Sequence, residues 1–294
     1  MIALLLMLCA ALAAGESAES PRVFFQAHRG ALDEAPENTM AALRLAWSAP
    51  GAVPEVDLRT TAGGVLVCIH DETPERTTDA PESWAKRPIR EIPFEKLRAW
   101  DAGSHFDARF AGERVPALDE VFAAMKPWQE RQLYLDLKAV DTARLVEKIQ
   151  AAGLEERVIF VHGDVTTCKQ LQGLYPGART MTWLSGPAML IKTRYRRLKA
   201  QDFEGLSQLQ LHLHAKRTPD GIEFALEDAF LAKAVAETRA AGVALQLRPF
   251  AFDPPSLARL IDMGVDWYVT DAPVKFAECV AAAQKLRAQA ADAP

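Results

Sequence analysis

Short runs rich in β-branched and apolar residues alternate along the chain with longer amphipathic stretches. That alternation predicts a parallel sheet whose strands are joined by covering helices. Eight runs read as strands, at 23–27, 53–57, 132–137, 157–161, 179–183, 207–212, 243–248 and 266–270. Eight is the number that closes a (β/α)8 barrel, and 294 residues is close to the usual length of one such domain. Helical periodicity fills intervals between them, at 38–47, 118–125, 142–152, 223–241 and 256–263, with Gly242 and Gly264 placed as stops after the last two.

Two segments depart from simple alternation. Between Asp57 and the apolar run 65–69 lie too few residues for a helical crossover, so the chain must return as a hairpin, turning near Ala62, Gly63 and Gly64. The returning strand then brings His70 beside Glu55. From 74 to 116 the chain is irregular and rich in prolines, charges and aromatics, long for a barrel connection, and reads as a small lid after the second strand. No internal repeat or linker marks a second domain.

The first twenty residues change the picture of the domain. Ile2 to Ala14 is apolar, with small residues ahead of a polar stretch, which is the pattern of a secretory signal; cleavage is expected just after Ala13. The organisation expected is therefore a leader at 1–20 and one barrel domain at 21–294, exported to the periplasm or the exterior. The remaining cysteines, Cys68, Cys168 and Cys279, are odd in number and lack C-x-x-C spacing, so neither a disulfide framework nor a zinc ribbon follows. Cys68 reads as a small buried hydrophobe. A net charge of -5 excludes a general attraction to nucleic acid and leaves anion binding to local groups. The basic run Lys192, Arg194, Arg196, Arg197 and Lys199 reads as a solvated helix face, with contact to an anionic membrane surface as the alternative.

Chemistry concentrates at the ends of the candidate strands. Ala27-His28-Arg29-Gly30 closes the first, followed by Pro36-Glu37-Asn38-Thr39, then Glu55-Val56-Asp57, His70-Asp71 and Arg76-Thr77-Thr78. Alternate side chains of a strand share a face, so Glu55 points with Asp57, and Asp136 with Lys138. Three carboxylates facing one pocket repel one another and any phosphate diester unless a cation neutralises them. An all-oxygen set selects a hard ion, so one divalent cation, Ca²⁺ or Mg²⁺, is expected on Glu55, Asp57 and Asp136. A phosphodiester needs a base and an acid besides that neutralisation, and His28 and His70 supply two groups titrating near neutrality. Arg29, by its planar fork, and Lys138, as a point charge, would hold phosphoryl oxygens. Asn38 stands where a helix begins, so its side chain is expected to cap backbone N–H groups. Gly30 allows a tight turn after the first strand.

These strings, HRG, PENT, E-x-D and HD followed by R-T-T, resemble the glycerophosphodiester phosphodiesterase family, and the likeness extends through 100–106, 115–121, 135–138 and 264–273. The resemblance implies a TIM barrel, a glycerophosphodiester or lysolipid substrate, and products glycerol 3-phosphate and an alcohol. It implies that His28 and His70 are the acid and base, with the glycerol 2-hydroxyl attacking first to give a cyclic phosphate, and it places Asn38 near the site. Two other functions share these features: a phospholipase D-like enzyme releasing a cyclic phosphate from lysophospholipid or sphingomyelin, and an exported binding protein on the same fold. The chain departs from the family pattern at Asp136, where a Glu is usual and one methylene, about 1.5 Å, is lost. It departs again at Ala244 to Arg248, where a Trp-Thr pair is common and Gln246 and Arg248 instead make a polar wall, so an aromatic platform is expected to be missing there. His105 stands where a Trp is frequent in the lid. His162, His212 and His214 end two strands and offer an alternative transition-metal set.

Overall fold

The computed structural model describes residues 23–219 and 221–291; the leader, with its cleavage site, lies outside them. Eight strands close a parallel barrel. They are β1 (Phe24–Ala27), β2 (Ala52–Thr60), β4 (Leu133–Ala139), β5 (Val158–Val161), β6 (Thr180–Leu184), β7 (Gln208–Leu213), β10 (Ala244–Pro249) and β11 (Trp267–Thr270). All eight coincide with the runs expected from the sequence, within three residues at either end. Around the barrel the order is β1, β11, β10, β7, β6, β5, β4, β2, with β2 pairing back to β1.

Antiparallel β3 (Leu66–Cys68) extends β2 as the expected hairpin. Its register pairs Leu58 with Cys68, and Ile69 N–H donates to the Asp57 carbonyl at 2.8 Å. The paired register stops at Cys68, and His70, two residues on, lines the barrel cavity with Glu55. A second hairpin, β8 (Ala215–Thr218) with β9 (Gly221–Phe224), projects after β7. It corrects the helix expected at 223–241: the helix begins at Asp228 and Glu223 belongs to the hairpin.

The covering helices are α1 (Met40–Ser48), α4 (Leu118–Met125), α5 (Thr142–Ala152), α6 (Val165–Leu174), α7 (Ala188–Lys199), α8 (Asp228–Ala240), α9 (Pro254–Asp262) and α10 (Pro273–Ala291). Their apolar stripes pack on the outer faces of the strands. One cluster joins Phe25, Leu209, Leu211, Leu245, Leu247 and Phe276 on one side of the barrel. Another joins Leu43, Val56, Leu58, Leu118, Leu135 and Leu145 on the other. Gly242 and Gly264 follow α8 and α9 at φ +72° and +88°, the left-handed turn that stops a helix. The segment after β3 carries two short helices, α2 (Glu82–Ala85) and α3 (Phe94–Ala99), over its own small core of Val67, Ile69, Ile89, Ile92, Leu97 and Val115. On α7, Lys192 pairs with Glu227 and Lys199 with Glu237, while Arg194, Arg196 and Arg197 are exposed along the solvated face. Cys68 and Cys168 are buried, and all three described cysteines are free.

Candidate active site

The carboxyl ends of the strands surround a cavity of about 200 Å³, lined among others by His28, Arg29, Glu55, His70, Asp136 and Lys138. Neighbouring strands bring the carboxylates together. Asp57 is the register partner of Asp136, and Glu55 precedes Asp57 by two on the same face. Each of the three offers an oxygen within 4.8 Å of the others. The shorter Asp136 side chain thus still reaches the cluster.

Electrostatics make this cluster costly as it stands. Glu55 and Asp57 are each 1% exposed. Burial, and then the charges of Asp57 and Asp136, raise the Glu55 carboxyl well above its ordinary range. Burial also lifts Asp136, against the charge of Lys138. For Asp57 burial acts upward too, but Lys138, Asn38, His70 and Arg29 together bring it down. Glu55 Oε1 and Asp57 Oδ1 are buried without a hydrogen-bond donor. Lys138 Nζ reaches Asp136 Oδ2 at 2.7 Å and lies 3.1 Å from Asp57 Oδ1 without hydrogen-bonding geometry. Three converging carboxylates, two of them with a buried uncapped oxygen, fit a hard divalent cation, and a lone ammonium on the rim does not satisfy them. Lys138, expected to hold phosphate, here lies against the acidic cluster.

Local backbone geometry serves the same cluster. Arg29 and Asn38 both adopt positive φ, +52° and +57°, which non-glycine residues rarely do and which recurs where structure is fixed by surrounding contacts. The turn at Arg29 aims its N–H at Glu55 Oε2, 2.6 Å away. Gly30 follows at φ +85°, where a Cβ would stand 2.7 Å from Ala42 Cβ, so no larger residue fits. Asn38 does not cap α1; Thr39 does, accepting from Ala42 N–H at 3.3 Å. The Asn38 amide instead donates to Asp57 Oδ2 and accepts from Asp57 N–H, both at 2.8 Å, holding that carboxylate in place. At φ +57° its backbone is not the extended one that a cap requires.

Each histidine is held by an aspartate that itself is held by an arginine. His28 Nδ1 lies 2.7 Å from Asp271 Oδ1, and Arg248 NH2 donates to both Asp271 oxygens at 2.9 and 3.1 Å. His70 Nδ1 lies 2.7 Å from Asp71 Oδ1, and Arg76 grips Asp71 through Nε at 2.6 Å. Arg76 also forks onto Glu37 at 2.6 and 2.8 Å, and Glu37 accepts from Arg29 NH1 at 3.0 Å. With each Nδ1–H given to a carboxylate, each ring keeps Nε2 free for chemistry. Burial lowers the His28 pKa, aided by the charge of Arg248, and outweighs the hydrogen bond that His28 donates to Asp271. Burial would raise Asp271, but the bond to His28 and the charge of Arg248 hold it at about 2.

The residues expected from the sequence therefore meet in one place, and Asp71, Asp271, Arg76, Glu37 and Arg248 join them. Asp71 and Arg76 stand inside the quoted strings, next to and six residues beyond His70; Asp271 immediately follows the last strand, as His28 follows the first. The alternative histidine set does not form a metal group. His214 stacks on Phe250 at 4.8 Å, His212 meets the same ring edge-on at 5.3 Å, and His162 Nδ1 accepts from Asp164 N–H. Phe250 also lies under the Arg248 guanidinium at 5.3 Å, so an aromatic ring stands just beyond the polar wall of β10, two residues past it.

The glycerophosphoryl diester phosphodiesterase family model matches residues 28–275. A glycerophosphodiester phosphodiesterase of Caldanaerobacter subterraneus subsp. tengcongensis is 36% identical over 154 residues, 49% of this chain and 61% of that protein. The chain thus spans about three fifths of that relative's length. Among solved structures, a glycerophosphodiester phosphodiesterase from Agrobacterium tumefaciens superposes with a TM-score of 0.65 at 25% identity, covering 87% of this chain and 99% of the other. An Oleispira antarctica phosphodiesterase in complex with the product sn-glycerol-3-phosphate shares the fold, with a TM-score of 0.61 at 24% identity over 88% of this chain and 96% of the other.

Proposed function

Since the chain belongs to the glycerophosphoryl diester phosphodiesterase family, we propose that it hydrolyses glycerophosphodiesters to sn-glycerol 3-phosphate and an alcohol. One observation carries the reading: two imidazoles, each fixed through Nδ1 by a carboxylate, open onto a cavity lined by Glu55 and Asp136 of a buried carboxylate trio. The product bound to the Oleispira antarctica relative supports the product class. In this reading Glu55, Asp57 and Asp136 hold one divalent cation, Ca²⁺ or Mg²⁺. Bound there, it neutralises the trio and draws charge from the non-bridging phosphoryl oxygens.

The chain's own groups supply the rest. His28, whose buried ring favours the neutral form, takes the proton of the attacking hydroxyl at Nε2. His70 donates from its Nε2 to the departing oxygen, and the two exchange roles when water completes the reaction. Asp271 and Asp71 keep both rings in the needed tautomer and steady the imidazolium when it forms. Arg29, in the turn after β1, lines the same cavity and would hold a phosphoryl oxygen, while Lys138 on β4 balances the charge of Asp136 and Asp57. Asn38 supports Asp57. A leader at 1–20 followed by one catalytic domain at 21–294, with export, completes the proposal on the sequence pattern.

Phosphorus NMR of the product tests it. Incubation of a glycerophosphodiester with the protein and Mg²⁺ or Ca²⁺ is expected to end in glycerol 3-phosphate, with any cyclic phosphate transient. A cyclic phosphate as the final product would favour the phospholipase D-like chemistry instead, and binding without turnover would leave a binding protein. Asp136→Glu addresses the shortened ligand. Because Asp136 already reaches the trio, the extra methylene must displace Lys138 or crowd Asp57, and kcat/KM is expected to fall by about 3- to 30-fold, as for a slight misplacement in an ordered site. A rise would show that Asp136 sits short of its task.

A further inference from the structure

Arg248 lies outside the strings that carry the family resemblance, yet it lines the cavity with His28. Strand order brings it there. β11 stands between β1 and β10, and the β1–β11 ladder runs on past its strands, His28 N–H donating to the Thr270 carbonyl at 3.0 Å. Asp271 comes next in the chain, so its carboxylate is reached by His28 from one side and by Arg248 from the other. On β10, Arg248 is the register partner of His212 on β7, and its guanidinium lies over the Phe250 ring. The side chain is thus placed by strand register, by a ring beneath it and by the carboxylate ahead of it.

The distances decide where the proton sits. Asp271, held at about 2, is an ionised carboxylate near neutrality and can only accept, so His28 Nδ1, 2.7 Å from its Oδ1, carries a hydrogen. Arg248 NH2 donates to the same Oδ1 at 2.9 Å and stands 3.2 Å from Nδ1. Two donors do not hydrogen-bond each other, so this approach is a repulsion imposed by the shared acceptor. A neutral ring tolerates it; an imidazolium would set its charge against a guanidinium that does not give up its proton. A carboxylate acting alone would favour the imidazolium. Asp271 therefore orients the ring, and Arg248 offsets the basicity that the carboxylate lends it. The other groups around His28 are engaged elsewhere or neutral. Arg29, next in the chain, gives NH1 to Glu37, and His212, held near pKa 4 by burial and the charge of Arg248, is uncharged near neutrality. Glu55 on β2 and Asp136 and Lys138 on β4 line the cavity from the acidic cluster, and His70 lines it paired with Asp71.

We infer that Arg248 is a positioning residue for His28, fixing the ring through Asp271 and, by its own charge, keeping that ring in the base form under acidic conditions. The inference rests on the phosphodiesterase reading above, in which His28 takes the proton of the attacking hydroxyl. Two readouts on the Mg²⁺-saturated protein test it: the acid limb of kcat/KM for glycerophosphoglycerol, and the proton NMR titration of the His28 ring, identified by its loss in His28→Ala. Arg248→Met keeps a long stem and removes the charge, and both midpoints should move up by about 1 pH unit. Arg248→Gln removes the same charge and serves if the first variant does not fold. Arg248→Lys keeps a cation that can donate to Asp271, so both midpoints should stay within about 0.3 unit of the parent even as the plateau falls with the lost fork. A plateau that falls in Arg248→Met or Arg248→Gln with both midpoints unmoved would reduce Arg248 to a structural residue and overturn the inference. An upward shift of the same size in Arg248→Lys would overturn it too, since the charge is retained there. No hydrolysis by the parent, with the ring titration moved as expected, would remove the phosphodiesterase reading and leave the charge coupling of Arg248 to His28 standing.

Discussion

Alanine in place of His28 is expected to lower kcat by about 10²- to 10⁴-fold, and His70→Ala by a similar factor, with the circular dichroism spectrum unchanged. The expectation follows from how little else the site offers for proton transfer. Guanidinium groups do not give up a proton in proteins, and the charges of Asp57 and Asp136 hold Lys138 above its ordinary value against burial. Burial and the neighbouring charges of Asp57 and Asp136 raise the Glu55 carboxyl, but in the proposed site its Oε1 faces the cation and its Oε2 accepts the Arg29 N–H, so neither oxygen is aimed at substrate. Asp71 and Asp271 are pulled below the usual carboxylate range by their arginine and histidine partners and are poor bases themselves. Removing either ring therefore removes a proton acceptor or donor that no neighbour replaces. The pH profile carries the sign. His28 is lowered from the ordinary histidine value, mainly by burial, so its base form persists to lower pH, and the acid limb of kcat/KM should fall below that of an unperturbed histidine. An activity that survives in His28→Ala within a factor of three would end the acid–base assignment for that residue.

How much of this was legible before the structure depends on the distance over which each contact is made. Strand alternation alone paired Glu55 with Asp57 and Asp136 with Lys138, because a period of two is a local property of extended backbone. The hairpin that delivers His70 was legible from the short gap after Asp57. Contacts made by closing the barrel were not. Asp271 stands 243 positions from His28 and meets it only because β11 and β1 become neighbours. Glu37 and Arg76 meet across 39 residues because the lid folds back over the first loop. Asn38 misled for a different reason: Asn and Thr both cap helices, and only the positive φ at 38 passes the cap to Thr39 and frees the amide for Asp57. The β8–β9 hairpin was hidden because 223–226 continues the apolar rhythm of α8. β10 carries no aromatic residue, as its sequence led one to expect, and Phe250 follows one residue past its end.

The largest effect on the whole protein is expected from the acidic trio, and it has two separable readouts. Excess EDTA should abolish turnover, and Ca²⁺ or Mg²⁺ should restore it; full rates in chelator would exclude the cation from the reaction. The second readout needs no activity. Folding buries Glu55 beside Asp57 and Asp136, and its pKa rises well above the unfolded value near 4.3. A group raised in this direction binds its proton more tightly in the folded state, so stability is fully present below the unfolded pKa and is lost as pH rises through the folded one. Without a cation the protein should accordingly lose stability between mildly acidic and neutral pH on account of this residue. A dication satisfying the trio should cancel that loss, and its binding should release a proton. Glu55→Gln keeps the shape and an acceptor for the Arg29 N–H while removing the charge. It should raise the stability of the cation-free protein at neutral pH by about 1–3 kcal/mol, the scale of relieving one unsatisfied buried polar group. It should also erase most of the thermal shift caused by Ca²⁺ or Mg²⁺. A variant less stable than its parent in EDTA at neutral pH, yet still shifted upward by the ion, would mean that Glu55 is neither strained in the empty cluster nor a ligand in the filled one.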